Sequence, residues 1–306
     1  MKKRFRLLLA IIVIGLLIVT INYFTSAPTI QSQSAILMDA SSGKILYEKD
    51  ASTSYPVASM SKLMTEYIVL DQIENGSIQW DDEVMISEVA NNVIPGAITL
   101  PIDSGDTLSV RDLFSAMILS SANNAAIALA EYISGTEEAF TVLMNKKARD
   151  IGLSEKTTFV NATGLPNREM NNQENKMSAT DVATLAFYLL KDHPKILETT
   201  SQQHYHVTNI GIDLYSTNKM LAIQNSKTYY ESVDGLKTGY TTAAGYCFVG
   251  TALKNDKRLI SVIIDAEDEE ERFIETKKLL SFGFGESSIF TLKEIAKIFI
   301  NKEKDV

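Results

Sequence analysis

Hydrophobic positions divide the chain into stretches of different period. Residues 7–21 are almost wholly apolar (Leu7-Leu-Leu-Ala-Ile-Ile-Val-Ile-Gly-Leu-Leu-Ile-Val-Thr-Ile21), and no charge follows before Asp39. Two short alternating runs, 35–39 and 44–48, then flank the turn Ser41-Ser-Gly43, which is the pattern of a β-hairpin. The middle of the chain predicts helices: 60–73, closed by Asn75-Gly76; 113–119, opened by Ser109 and Asp112; and 125–133, after a break at 120–124. A further helix is opened by Thr136 with Glu137 and Glu138 behind it, and another by Ser178 and Asp181, running through Leu190. Hydroxyl and acidic side chains at these starts meet the open N–H groups and dipole of a first turn, and glycine suits a left-handed end. From Gly235 the period becomes two, predicting strands at 237–241, 245–253 and 258–265, before a last helix over 268–280. Two early strands, a helical block and three late strands predict an α+β fold. Its antiparallel sheet of about five strands is flanked by helices and carries a helical subdomain.

The apolar run acquires a direction from its flank. Lys2, Lys3, Arg4 and Arg6 precede it, and a run of that length lies between a signal-peptide core and a short membrane helix. The positive-inside rule keeps the basic cluster in the cytoplasm and places the rest of the chain outside it. Thr25-Ser-Ala27 offers small residues suited to cleavage, but the run is long for a cleaved signal, so residues 1–27 are expected to remain as an anchor. The whole chain of 306 residues carries −9, and the part beyond the basic cluster is four charges more acidic. That balance argues against nucleic acid as a partner. The single cysteine, Cys247, excludes an intrachain disulfide, a CxxC pair and a cysteine zinc site, and reads as a buried small apolar residue.

Three short motifs carry chemistry. Ser59-Met-Ser-Lys62 places a hydroxyl and an amine on one face at a helix start; alone it would be a helix cap with a solvated lysine. Ser121-Ala-Asn123 lies at the break between two helices and Lys237-Thr-Gly239 on a strand. Together, in this order, they match the S-x-x-K, S-x-N and K-T-G set of penicillin-binding proteins and β-lactamases. A serine hydroxyl needs a base to take its proton as it attacks a carbonyl. His193 follows a helix, and His204 and His206 alternate in a strand or loop, so all three read as surface or packing residues. Lys62 can be the base if desolvation and a second cation, Lys237, bring its pKa down from ~10.4. Ser121 would then pass the proton to the leaving amine, and Asn123 would hold the substrate's amide. Lys237 and Thr238 would bind a carboxylate, and Gly239 would let the strand approach the substrate closely.

Longer segments narrow the resemblance. Pro56-Val-Ala-Ser-Met-Ser-Lys-Leu-Met-Thr65, Ser120-Ser-Ala-Asn-Asn-Ala-Ala126, Phe159-Val-Asn-Ala-Thr-Gly-Leu165, residues 233–247 and the stretch from Arg272-Phe to Phe284 are similar to the D-alanyl-D-alanine carboxypeptidases, the low-molecular-mass penicillin-binding proteins. The resemblance covers about 34–284. It implies a serine carboxypeptidase in which Ser59 attacks the penultimate D-alanine carbonyl of a peptidoglycan stem peptide, releases the terminal D-alanine and is freed by hydrolysis. The backbone N–H groups of Ser59 and Tyr240 would form the oxyanion hole, β-lactam antibiotics would acylate Ser59, and no metal or organic cofactor is implied. The family commonly adds a β-rich domain after the catalytic one; none is expected in residues 285–306, where Leu292, Ile295, Ala296 and Phe299 share one helical face. That face reads as core packing before a membrane-surface helix. A β-lactamase would need an E-x-x-L-N pattern, of which Glu169-Met-Asn-Asn172 lacks the leucine. A D,D-endopeptidase would use the same residues, and a wall-binding or β-lactam-sensing protein would acylate without turnover.

Overall fold

Helices on both sides of one antiparallel sheet set the architecture. The computed structural model describes residues 27–286 apart from 168, 169, 223 and 226. The N-terminal apolar run, Glu169 and the helical face around Leu292 therefore lie outside the described residues. Strands β1 (Ser34–Asp39) and β2 (Ile45–Lys49) form the opening hairpin, and β3 (Ser54–Pro56) leads through a 3-10 turn, Ala58–Ser61, straight into helix α1 (Lys62–Glu74). The helical region contains β4 (Glu83–Met85), α2 (Glu88–Asn91), β5 (Thr107–Ser109), α3 (Val110–Leu119), α4 (Asn123–Ser134), α5 (Glu137–Asp150), β6 (Lys176–Ser178) and α6 (Ala179–Asp192). A one-turn helix, α7 (Leu197–Thr200), and the hairpin β7 (His204–Val207) and β8 (Ile212–Tyr215) lead back to the sheet. Strands β9 (Val233–Thr241), β10 (Gly245–Lys254) and β11 (Lys257–Ala266) precede helix α8 (Glu271–Gly283).

The main sheet has the order β2-β1-β11-β10-β9, all antiparallel, so the early hairpin joins the late strands where β1 pairs with β11. This is the five-stranded arrangement expected from the sequence. The helix starts also follow their signals. The Ser109, Thr136 and Ser178 hydroxyls accept backbone N–H groups of Asp112, Ala139 and Asp181 at 3.0, 3.1 and 3.0 Å. Gly76 closes α1 at φ 78°. At the last helix, Asp268 accepts the N–H groups of Glu270 and Glu271 at 2.8 Å, and the α-helix proper begins only at Glu271.

Two differences have physical reasons. The late strands were expected to alternate between core and solvent, but β10 and β11 each bury six consecutive residues. Ile36, Val249, Val262 and Ile264 face the core of the helical region, while Leu37, Phe248, Leu259 and Ile263 pack with Phe273, Leu279 and Leu280 of α8. With both faces covered, a large apolar side chain gains about 1.5–3 kcal/mol on either side, and alternation is lost. The fold also begins before Ser34. Ile30 is buried in the α8-side core, and the backbone N–H of Ser32 donates to Glu275 at 3.1 Å.

Candidate active site

A cleft of about 590 Å³ opens between the helical region and the edge strand β9. Ser59, Ser121, Asn123, Thr238, Gly239 and Tyr240 line it, so three motifs remote in sequence meet at one place. The two predicted lysines lie behind its wall: Lys62 is 0% and Lys237 1% exposed.

Ser59 sits in the 3-10 turn and Lys62 at the first position of α1, which continues that turn and keeps the two side chains on one face. The Lys62 Nζ is 3.0 Å from the Ser59 hydroxyl oxygen, 2.8 Å from Asn123 Oδ1 and 2.8 Å from the carbonyl oxygen of Thr163. Asn123 and Thr163 offer only acceptors at these positions. A neutral amine has two N–H donors and one lone pair, so donation to both carbonyls turns the lone pair toward the Ser59 O–H. Burial, and then the cationic Lys237, push Lys62 well below the ordinary lysine range, against the opposing pull of Glu66 and Glu137. The geometry accommodates a neutral amine facing Ser59, and the electrostatics favour that state.

Backbone constraints hold this arrangement. Ala58 and Ser121, next to or within the two serine motifs, have φ of 47° and 64°, a region costly to a residue with a Cβ. Such strain persists only where the surroundings enforce it. For the Ser121 turn, Asn123 is strapped to the Ile98 carbonyl through its backbone N–H at 2.8 Å and its Nδ2 at 2.9 Å. For the Thr163 turn, Asn161 Oδ1 accepts the N–H of Gly164 at 2.7 Å, and Asn175 Nδ2 donates to the carbonyl of Asn161 and to Ser61 Oγ, both at 2.9 Å. Gly164 is at φ 82°, and a Cβ there would lie 2.0 Å from the Ala58 carbonyl oxygen, so only glycine fits against the Ser59 turn.

On the other wall, Gly239 brings β9 so close to the Ser59 turn that a Cβ would lie 2.9 Å from the Val57 carbonyl oxygen and 3.1 Å from the Met60 nitrogen. The Thr238 hydroxyl is 2.6 Å from that of Thr217. Lys237 Nζ donates to the Thr238 carbonyl at 3.4 Å and is pushed down to about 8 by burial, with Glu66 opposing and Arg272 assisting that shift.

Sequence reasoning missed three contributors. The Thr163 carbonyl is a backbone atom with no side-chain signature. Thr217 follows β8 and carries no motif. Arg272 stood in a resembling segment without a role, yet it lines the cleft and donates from Nη1 to the Gly239 carbonyl at 3.2 Å. The histidines fall elsewhere, as expected: His193 is 2.8 Å from Asp71, while the exposed His204 and His206 lie 2.8 and 2.7 Å from Asp213. Cys247 is buried, and burial pushes its thiol up to about 12.

A serine hydroxyl on a buried lysine, facing the edge of an antiparallel sheet, defines a serine hydrolase of the penicillin-binding class. The chain belongs to the D-alanyl-D-alanine carboxypeptidase family, whose profile matches residues 22–268. It is 33% identical over 286 residues to the D-alanyl-D-alanine carboxypeptidase DacF of Bacillus subtilis, covering 92% of this chain and 70% of that one. With DacC of Escherichia coli, another D-alanyl-D-alanine carboxypeptidase, identity is 35% over 84% of this chain and 62% of the relative. The chain thus spans about two thirds of the length of these relatives. Among solved structures, it resembles penicillin-binding protein D2 of Listeria monocytogenes in its cefotaxime-bound form, with TM-score 0.76 and 37% identity over 85% of this chain and 99% of that one.

Proposed function

We propose that the protein is a serine D-alanyl-D-alanine carboxypeptidase that removes the terminal D-alanine from peptidoglycan stem pentapeptides through an acyl-Ser59 intermediate. The observation that carries the reading is the Lys62 amine, 3.0 Å from the Ser59 hydroxyl and held by two acceptors on its other side. Lys62 takes the serine proton as Ser59 attacks the penultimate D-alanine carbonyl. The carbonyl oxygen becomes an oxyanion held by the backbone N–H groups of Ser59 and Tyr240. Ser121 relays the proton held by Lys62 to the leaving D-alanine nitrogen, giving up its own and regaining one from Lys62; the C–N bond breaks, and water then cleaves the acyl-serine ester.

Asn123 orients Lys62 through Oδ1 and keeps a side-chain N–H for a substrate carbonyl. The substrate's terminal carboxylate meets Thr238 and Arg272 at the cleft surface, while Lys237 contributes its charge from behind that wall. A β-lactam acylates Ser59 by the same attack. Support for an extracytoplasmic site comes from the substrate class and from the basic cluster ahead of the apolar run 7–21. Among the described residues no helix is long and apolar enough to cross a membrane.

D-alanine release from a peptide ending in Lys-D-Ala-D-Ala, measured for the wild type and for Ser59→Ala, tests the reading. The wild type should release D-alanine and be labelled by fluorescent penicillin, and Ser59→Ala should do neither. Labelling without release would replace the carboxypeptidase by a β-lactam sensor. Cleavage confined to cross-linked dimers would make the enzyme an endopeptidase.

A further inference from the structure

The proposed oxyanion hole draws one N–H from each wall, Ser59 from the 3-10 turn and Tyr240 from β9, two elements far apart in the chain. Such donors stabilise a developing charge only when their positions are set before the reaction begins. Strand β9 is an edge strand, paired with β10 on one side and open on the other, so the sheet alone leaves its end free to drift from the Ser59 turn. At its start the Thr200 hydroxyl holds the Asp234 carbonyl at 2.8 Å. The Tyr240 end needs a hold of its own.

The residue after Tyr240 supplies one. The Thr241 hydroxyl donates to Glu174 Oε2 at 2.7 Å and accepts the Ala244 N–H at 3.1 Å, closing the turn into β10. Both partners are buried, Thr241 8% and Glu174 7% exposed. Alternation along the strand puts Thr241 on the same face as Gly239, the face that abuts the Ser59 turn. Glu174 is in turn anchored by its neighbour in the chain. The Asn175 carbonyl accepts the Val57 N–H at 3.2 Å and its Nδ2 donates to Ser61 Oγ at 2.9 Å, so Asn175 grips the Ser59 turn on both sides of the serine. The same Nδ2 donates to the Asn161 carbonyl at 2.9 Å, within the loop that carries the Thr163 acceptor of Lys62. One dipeptide, Glu174-Asn175, therefore touches the turn of the nucleophile, the loop that aims the base and the strand of the second oxyanion donor.

We propose that Glu174 is a positioning residue that, through the Thr241 hydroxyl, holds the Tyr240 N–H in register with the Ser59 N–H of the oxyanion hole. The inference rests on the oxyanion hole assigned under the proposed function. Glu174 stands outside the cleft lining and touches no substrate. Its influence falls on the charge that develops during attack, and the bound ground state is left largely as it was.

The test combines kcat and KM for D-alanine release with the limiting rate of acylation by a chromogenic cephalosporin. Removing an oxyanion donor outright costs about 10²–10³ in rate, and a displaced donor loses part of that. Glu174→Ala and Thr241→Val should each lower kcat and the limiting acylation rate about tenfold or more, with KM within about twofold of wild type. Glu174→Gln, whose amide oxygen still accepts, and Thr241→Ser, which keeps the hydroxyl, should return to within about threefold of the wild-type rates. The double variant Glu174→Ala/Thr241→Val should be no slower than either single one, because both remove the same link. Wild-type rates in folded Glu174→Ala and Thr241→Val would overturn the proposal, even with lowered thermal stability, since the link would then be structural only. A raised KM at unchanged kcat would overturn it too, by moving the link to substrate binding, as would losses that multiply in the double variant. If Glu174→Ala does not fold, the contrast between Thr241→Val and Thr241→Ser decides the matter. A wild type that is acylated yet releases no D-alanine would sink the carboxypeptidase reading alone, because the acylation rates still report on the oxyanion hole.

Discussion

The two walls of the cleft are built to different standards. On the helical wall, Lys62 is fully buried and tied at 2.8–3.0 Å to groups from the 3-10 turn, from α4 and from the loop around Thr163. On the sheet wall, Thr238 and Gly239 sit on an edge strand, and the side chain that follows them, Tyr240, is 54% exposed. A proton transfer needs a dry, fixed environment, in which each electrostatic interaction is stronger and little reorganises during reaction. Recognition of a flexible peptide needs access instead. Proton transfer thus belongs to the helical wall, while the sheet wall gives recognition and one oxyanion donor, and substitutions can break that division.

The largest effect belongs to Lys62. Lys62→Ala should reduce the rate of penicillin acylation by at least about a thousandfold, the scale of a lost general base, while circular dichroism stays native. Burial and Lys237 lower the Lys62 pKa, so the amine is free above the lowered value and becomes an ammonium as pH falls through it. The wild-type acylation rate should therefore fall about tenfold per pH unit below that lowered value, on an acid limb. Residual acylation in Lys62→Ala, measured by stopped flow, should lose that acid limb. Retention of the limb would move the base to another group and undo the division of labour.

Next in size is a pair of glycines, one facing the Ser59 turn from each side. Alanine at Gly164 meets the Ala58 carbonyl oxygen at 2.0 Å and must also adopt φ 82°. Alanine at Gly239 meets the Val57 carbonyl oxygen at 2.9 Å, with no such backbone conformation imposed. Gly164→Ala should cost about 2 kcal/mol or more in stability and abolish most labelling, because the Ser59 turn or the Thr163 carbonyl has to move. Gly239→Ala should fold with a smaller loss, since an edge strand can shift outward, and should mainly raise KM. Thermal unfolding with kinetics on both variants checks the order, and equal effects would mean that both walls are equally rigid.

Those glycines also show where the sequence was legible. The helix starts at Ser109, Thr136 and Ser178 and the turns of the sheet were readable because they depend on side chains adjacent in the chain. Ser59, Lys62, Ser121, Asn123, Lys237, Thr238 and Gly239 were readable because their chemistry fixes residue type at short spacing; the structure lines one cleft with five of them and buries the two lysines. What resisted was non-local. The double-sided burial of β10 depends on α8, which comes later in the chain. The Thr163 acceptor is a main-chain atom, and nothing about Gly164 in isolation indicates that Ala58 lies against it. Lys237 was expected to bind the substrate carboxylate with Thr238; its side chain is buried and Thr238 lines the cleft.

The smallest effect tests the sheet wall at its most open point. Tyr240 stacks on Tyr246 with ring centroids 4.5 Å apart, and both rings border the cleft. An exposed aromatic pair offers a flat, apolar surface to a substrate chain, and one ring contributes about 0.5–1.5 kcal/mol to such a contact. Tyr240→Ala removes the ring but leaves the backbone N–H assigned to the oxyanion hole. It should raise KM for a stem-peptide substrate by no more than about tenfold, the equivalent of that energy, with kcat and thermal stability close to wild type. Steady-state kinetics on a pentapeptide and on a minimal D-Ala-D-Ala dipeptide provide the contrast, because only the longer substrate reaches the pair. A fall in kcat on both substrates would place Tyr240 with the catalytic groups. The sheet wall would then share in the chemistry through a side chain as well as a backbone N–H, and the boundary between the walls would have to be redrawn along the strand at Gly239.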